Sequence, residues 1–185
     1  MFISWTNNKN FNNFNIQHFN DINFLEILNE EQANKINIIN ICNKNLKELP
    51  NLNKFVNLEY LYCSENKLTI LPSLNKLNKL IKLVCNNNKL IYLPELYHLT
   101  NLKELVCHHN NLTILPNLNK HIEILNCSHN KLIRLQNLEY LPELKKLQIG
   151  YNKLTKLPNT SKNDKLKYIY FVNACNNLKW YQKIF

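Results

Sequence analysis

Apolar residues recur along this chain at a fixed spacing. The stretch LEYLYCSENKLTILP begins at Leu58. The same arrangement returns as LIKLVCNNNKLIYLP from Leu80 and as LKELVCHHNNLTILP from Leu102, each 22 residues further on. A 20-residue step leads to IEILNCSHNKLIRLQ at Ile122, and another 22 residues lead to LKKLQIGYNKLTKLP at Leu144. Weaker copies flank these: INIINICNKNLKELP from Ile36 and LKYIYFVNACN from Leu166. The pattern predicts about seven units over residues 36–176. Numbering each unit from its first leucine, Leu58, Leu61 and Cys63 fall at positions one, four and six. Positions four and six share one face of a strand, because side chains alternate with a period of two. Leu68, Leu71, Leu74 and Leu77 continue the inward set. No single unit can bury so many apolar groups, so the units must stack and share a core.

Two further columns give the unit its shape. Pro50, Pro72, Pro94, Pro116 and Pro158 follow the same leucine in five units. Proline lacks an amide donor and fixes φ, so it stops a strand and favours a tight outer segment. Asn66, Asn88, Asn110, Asn130 and Asn152 recur at position nine, where the chain leaves the strand. A carboxamide both donates and accepts, so a stacked column of them is expected to satisfy the backbone of successive bends as a structural ladder. Lys44 and Ala174 hold this position in the first and last units, where a ladder has a neighbour on one side only.

The pattern LxxLxCxxNxL resembles the leucine-rich repeat family, over roughly three-quarters of the chain, and its length resembles the short class found in internalins and in the leucine-rich regulatory subunit of protein phosphatase 1. The resemblance implies an α/β solenoid, an arc with a parallel β-sheet on the concave face and short 3₁₀ or irregular segments on the convex face. It implies no catalytic activity of its own.

Composition narrows the chemistry. Gly150 is the single glycine among 185 residues, which excludes a P-loop or a glycine-rich dinucleotide site. Carboxylate pairs, nucleophile triads and metal-ligand spacings are missing from the sequence, so no enzyme activity and no cofactor are expected. Lysine and arginine total 23 against 13 acidic residues, a net charge of +10. That excess suits an acidic partner, but Arg134 is the only arginine, and base-specific readout leans on arginine. Cys63, Cys85, Cys107 and Cys127 form a column at position six. Thiols stacked in one line do not converge tetrahedrally on zinc, so they read as small buried hydrophobes. With no secreted-type cysteine framework and no signal peptide at MFISWTNNKN, an intracellular, cytoplasmic location is expected.

Both ends read as covers for the open core. Residues 1–35 combine an Asn- and Phe-rich segment with a helix from Asp21, whose Ile22, Leu25 and Leu28 would lie on one face. Residues 177–185 bring Leu178, Trp180, Tyr181, Ile184 and Phe185 as an aromatic cap.

Any function should lie on side chains pointing away from the core, at positions three, five, seven and eight. Tyr60, Tyr62, Val84, Glu104, Val106, His108, His109, His129, Tyr151, Tyr168 and Tyr170 occupy them and are the candidate partner-binding residues. Tyrosine offers large contact area at low entropic cost. His109 and His129 share position eight in adjacent units, and no Asp or Cys beside them completes a metal set. These residues predict a monomeric, non-enzymatic module that binds a protein partner on the concave sheet. The alternative is electrostatic binding to nucleic acid or another acidic surface through Lys67, Lys89, Lys131 and Lys153, a lateral row at position ten.

Overall fold

The structure is a computed structural model that describes residues 23–135 and 138–172. The expected covers at residues 1–20, Asp21, Ile22 and 177–185, and also Ala174 and Cys175, lie outside the described residues. Each unit contributes one short strand: β1 (Ile38–Asn40), β2 (Tyr60–Tyr62), β3 (Lys82–Val84), β4 (Glu104–Val106), β5 (Ile124–Asn126), β6 (Lys146–Gln148) and β7 (Tyr168–Tyr170). All seven pair in parallel and in chain order. The register steps by one unit each time, as in Leu61↔Leu83 and Leu83↔Leu105, and it absorbs the shorter unit through Leu105↔Leu125. Parallel neighbours linked by a crossover of one unit make a continuous coil of chain, with the sheet along one side. This is a solenoid.

Its core is a set of columns. The central residue of each strand from Ile39 to Leu147 is fully buried, as are Leu58, Leu80, Leu102 and Leu144 at position one. Each buried leucine contributes about 1.5–3 kcal/mol relative to exposure. On the outer side the chain returns through two successive backbone bonds of the i→i−3 type. Leu77 donates to Leu74 (2.9 Å) and Leu80 to Leu77 (2.9 Å), and the same pair recurs at Leu96–Leu102 and Leu138–Leu144. These bonds are the tight 3₁₀-like turns that let a 22-residue unit close on itself, and one of them is a regular 3₁₀ helix, Leu138–Tyr140.

The first unit is covered differently from the expectation of one continuous helix. Two short helices occur, α1 (Asn23–Ile27) and α2 (Glu30–Ala33). Asn29 breaks the chain between them because it caps α2. Its Oδ1 accepts from the Gln32 amide at 2.9 Å, and the Gln32 side chain accepts from the Asn29 amide at 3.1 Å. Leu25 and Leu28 still turn inward, at 2% and 7% exposure. Lys54 Nζ ties the pair down by donating to the carbonyls of Glu26 and Leu28. No helix among the described residues is long and apolar enough to cross a membrane.

Candidate functional site

The sheet presents positions three and five of each unit outward, flanking the buried central residue. Register places Tyr62, Val84 and Val106 side by side on β2, β3 and β4, with Tyr60, Lys82 and Glu104 forming the parallel row. All six are half-buried. Lys82 fastens the group. Its Nζ lies 2.9 Å from Glu104 Oε2 and 5.9 Å from the centre of the Tyr62 ring. Tyr168 and Tyr170 belong to β7, three strands beyond β4 and so roughly 15 Å away at ordinary strand spacing. Both are exposed. The candidate residues on the strands therefore fall into two groups.

Position seven departs from the outward orientation expected of it. Ser64, Ser128 and Gly150 are buried there, and Cys42, Asn86, His108 and Val172 are half-buried. The cause is the bend itself, which rolls this residue over the end of the strand. Ser64 Oγ donates to Asn86 Oδ1 of the next unit at 2.8 Å. At Gly150 an added Cβ would stand 2.7 Å from Tyr170 Cε1, so the only glycine is demanded by close approach rather than by backbone angle.

Position eight carries the angular strain. Asn43, Glu65, Asn87, His109, His129 and Tyr151 all have φ between 51° and 55°. Left-handed backbone costs a residue with a Cβ about 1–2 kcal/mol, and Asn and His are among the residue types most often found there. Holding this angle in successive units lays the side chains on top of one another. His109 and His129 stack at 4.0 Å with 12° between ring planes, and His129 stacks on Tyr151 at 4.2 Å. His108 meets His109 edge-on at 5.2 Å. Burial, then the proximity of His109, holds both His108 and His129 below the ordinary histidine range. The in-plane nitrogen lone pairs of rings stacked this way lie in separate, nearly parallel planes about 4.0 Å apart, so His109 and His129 do not converge on one ion. Among the described residues no group of three His, Cys, Asp or Glu side chains is arranged to hold a metal.

Behind this outer layer the position-nine amides knit the units together. Asn110 Nδ2 donates to Cys85 O of the preceding unit (3.0 Å) and to Cys107 O of its own (3.1 Å), while its Oδ1 accepts from the Leu90 amide (2.9 Å). Asn66, Asn88, Asn130 and Asn152 make the equivalent bonds. Two-way bonding of this kind, repeated once per turn beside columns of leucine, decides what the fold is. A family model described as leucine-rich repeats (two copies) matches residues 56–98.

The chain is a leucine-rich repeat protein.

Solved structures agree. YopM, a leucine-rich effector protein from Yersinia pestis, is 28% identical over 71% of this chain, with a TM-score of 0.64. A leucine-rich repeat protein of Leptospira interrogans is 27% identical over 78%, with a TM-score of 0.71. The repeat domain of a Shigella effector is 33% identical over 74%, with a TM-score of 0.65. The chain spans 42%, 38% and 59% of these three proteins respectively. No curated protein matches it in sequence. The repeat fold is that of protein-binding modules, which are typically non-enzymatic.

The four cysteines at position six are fully buried and unpaired. Burial pushes their thiols well above the ordinary range, with Cys127 raised to about 12. In this leucine-rich repeat protein they fill space. Sequence reasoning passed over two further structural asparagines. Asn119 and Asn163 stand three residues before a unit begins, where Phe55, Leu77, Leu99 and Leu141 stand in other units. Both are 5% exposed. Asn119 Nδ2 donates to Leu99 O and Leu102 O, and Asn163 Nδ2 to Leu138 O and Leu141 O. The available signal was the simultaneous loss of leucine six residues before the unit, where Pro116 and Thr160 appear instead.

Proposed function

We propose that this repeat protein is a non-enzymatic module that captures a protein partner on the concave sheet, centred on Tyr60, Tyr62, Val84, Glu104 and Val106. The observation carrying this reading is the Tyr62–Val84–Val106 row with Lys82 held between Glu104 and the Tyr62 ring. It combines half-buried apolar area, a positioned ion pair and an aromatic face, the mixture that concentrates binding energy in protein interfaces. His108, His109, His129 and Tyr151 border it along the bend and extend the contact area; Tyr168 and Tyr170 supply a separate aromatic contact at the far end. The module works in a reducing compartment, where the position-six thiols stay unpaired.

The test compares partner cross-linking by wild type and by a Tyr62→Ala/Val106→Asp double variant. Both substitutions lie on the outward face, so the fold should survive, and circular dichroism verifies that it does. Loss of the cross-linked product at unchanged unfolding midpoint supports the concave site. Equal cross-linking by both proteins rejects it.

A further inference from the structure

The two edges of the sheet differ in electrostatics. At the edge where chains enter the strands, three lysines meet carboxylates. Lys103 and Lys145 flank Glu123 at 3.2 and 2.6 Å, and Lys165 meets Glu143 at 2.6 Å. At the edge where chains leave, the exposed Lys67, Lys89, Lys131 and Lys153 form a row at position ten, and none makes an ion pair among the described residues. Across the second to sixth units, positions eight, ten, twelve and thirteen hold one acidic residue, Glu65, while Arg134 and Lys156 add positive charge.

The same lateral face is also apolar. Backbone bonds run along it from unit to unit, Lys89 N to Leu68 O (2.8 Å), Lys131 N to Leu112 O (2.8 Å) and Ile91 N to Thr69 O (3.2 Å). In the second, third, fifth and sixth units positions ten and twelve are exposed, while nine and eleven are buried or half-buried. Ile70, Ile91, Tyr92, Ile114 and Ile133, at positions twelve and thirteen, are 42–53% exposed. Four unit steps at strand spacing make a strip roughly 20 Å long of unpaired lysine beside protruding aliphatic groups. Contiguous exposed apolar groups on a soluble fold mark an interaction surface.

We infer that this lateral face docks peripherally on an anionic lipid bilayer, its lysines on the headgroups and its isoleucines and Tyr92 at the acyl boundary. The chemistry chooses among polyanions. Nucleic acid offers no aliphatic complement to the isoleucines. Three of the strip's five turns hold both a lysine and an exposed aliphatic group, Lys67 with Ile70, Lys89 with Ile91 and Lys131 with Ile133, and a fourth adds Ile114, which suits an extended ligand that is both anionic and apolar. The lateral face is distinct from the concave sheet, so the inference stands or falls independently of the proposed partner site.

The experiment is sedimentation of the full chain with vesicles of phosphatidylcholine containing about 30 mol % phosphatidylserine, against vesicles of phosphatidylcholine alone. Binding is expected only to the anionic vesicles and should weaken with salt. Lys89→Glu/Lys131→Glu and Ile91→Ser/Ile133→Ser should each lower the partition coefficient about tenfold or more, since lysine contacts and apolar insertion both contribute. The concave variant Tyr62→Ala/Val106→Asp should bind as wild type does. All the altered positions are exposed or half-buried, and urea midpoints verify that the fold is kept. Undiminished binding by either lateral variant overturns the inference. So does retention on poly(U) RNA or polyglutamate together with failure to bind the anionic vesicles.

Discussion

The asparagine ladder makes a prediction sharper than simple destabilisation, because its bonds are shared between units. Consider Asn110→Ala. Cys85 O loses the Asn110 amide but keeps that of Asn88 at 3.1 Å, and Cys107 O keeps that of Asn130 at 3.0 Å. His108 O keeps the Asn87 backbone amide at 3.0 Å. The group left with no partner is the Leu90 N–H, which lies in a fully buried residue. Burying one unpaired amide costs about 1–3 kcal/mol. Asn88→Ala follows the same logic and orphans the Leu68 N–H. Combining the two adds a new casualty, because Cys85 O then loses both of its donors.

The double variant should therefore exceed the sum of the singles by about 1 kcal/mol or more. Asn66→Ala with Asn110→Ala shares no acceptor, and that pair should be additive within about 0.5 kcal/mol. Asn110→Asp supplies a second control. It keeps an acceptor for Leu90 but sets an anionic oxygen against Cys85 O and Cys107 O, so it should be worse than alanine. Asn111→Ala, one residue away on the outer face, should change stability by less than about 0.5 kcal/mol. Urea unfolding followed by circular dichroism measures all of these. Additivity for the Asn88/Asn110 pair, or an aspartate at 110 tolerated as well as alanine, would refute the bonding scheme.

Three other outcomes follow from the site. Gly150→Ala should cost about 1–3 kcal/mol through overpacking, and removing the Tyr170 ring should restore only part of this because Val172 O, 2.8 Å from the added Cβ, belongs to the backbone; an unchanged urea midpoint would contradict the close approach. His108 and His129 titrate below the ordinary 6.5, so the unfolded chain takes up protons first. Stability is then full above about pH 6.5, declines as pH falls toward the folded-state values and levels off beneath them. His108→Gln/His129→Gln should flatten that decline in urea midpoints taken between about pH 5 and 8, and a slope unaffected by the double variant would assign the effect elsewhere. Iodoacetamide applied to the native protein should leave Cys63, Cys85, Cys107 and Cys127 unmodified while half-buried Cys42 reacts; mass spectrometry showing Cys107 labelled as fast as Cys42 would mean the column is accessible.

The inward columns were legible in the letters because the constraint on them is the same in every unit. A leucine at position four always faces the same neighbours, so Leu61, Leu83, Leu105, Leu125 and Leu147 repeat by name as well as by place. Asn at position nine repeats because few other side chains donate to two carbonyls and accept from an amide at once. Position seven was misread as outward because the sheet's alternation was carried past the last strand residue into a bend that does not obey it. Position eight was placed correctly on the outside, but its stacking was hidden, since the shared property is a backbone angle and not a residue type. Glu65, Asn87, His109, His129 and Tyr151 have little chemistry in common. Asn119 and Asn163 were missed for a related reason: they repair a local loss, and a repair appears only where the repeat fails.

That division between inner and outer columns has a consequence for how surfaces arise on this scaffold. The units are held by leucines, by backbone bonds and by amides that all point inward, so substituting an outward residue leaves the register untouched. Each outward column can then vary by itself. On the concave side, positions three and five have diverged from unit to unit, Tyr60 and Tyr62 giving way to Lys82 and Val84 and then to Glu104 and Val106. On the lateral side, position ten is lysine in four of the five units from Leu58 to Leu144, the exception being Asn111. Divergence within a column fits a ligand with individual features, and sameness fits one without them. Glutamates on the opposite side pair with Lys103, Lys145 and Lys165, whereas the lysines of the position-ten row make no ion pair among the described residues, so this side keeps the positive charge that an anionic surface would neutralise.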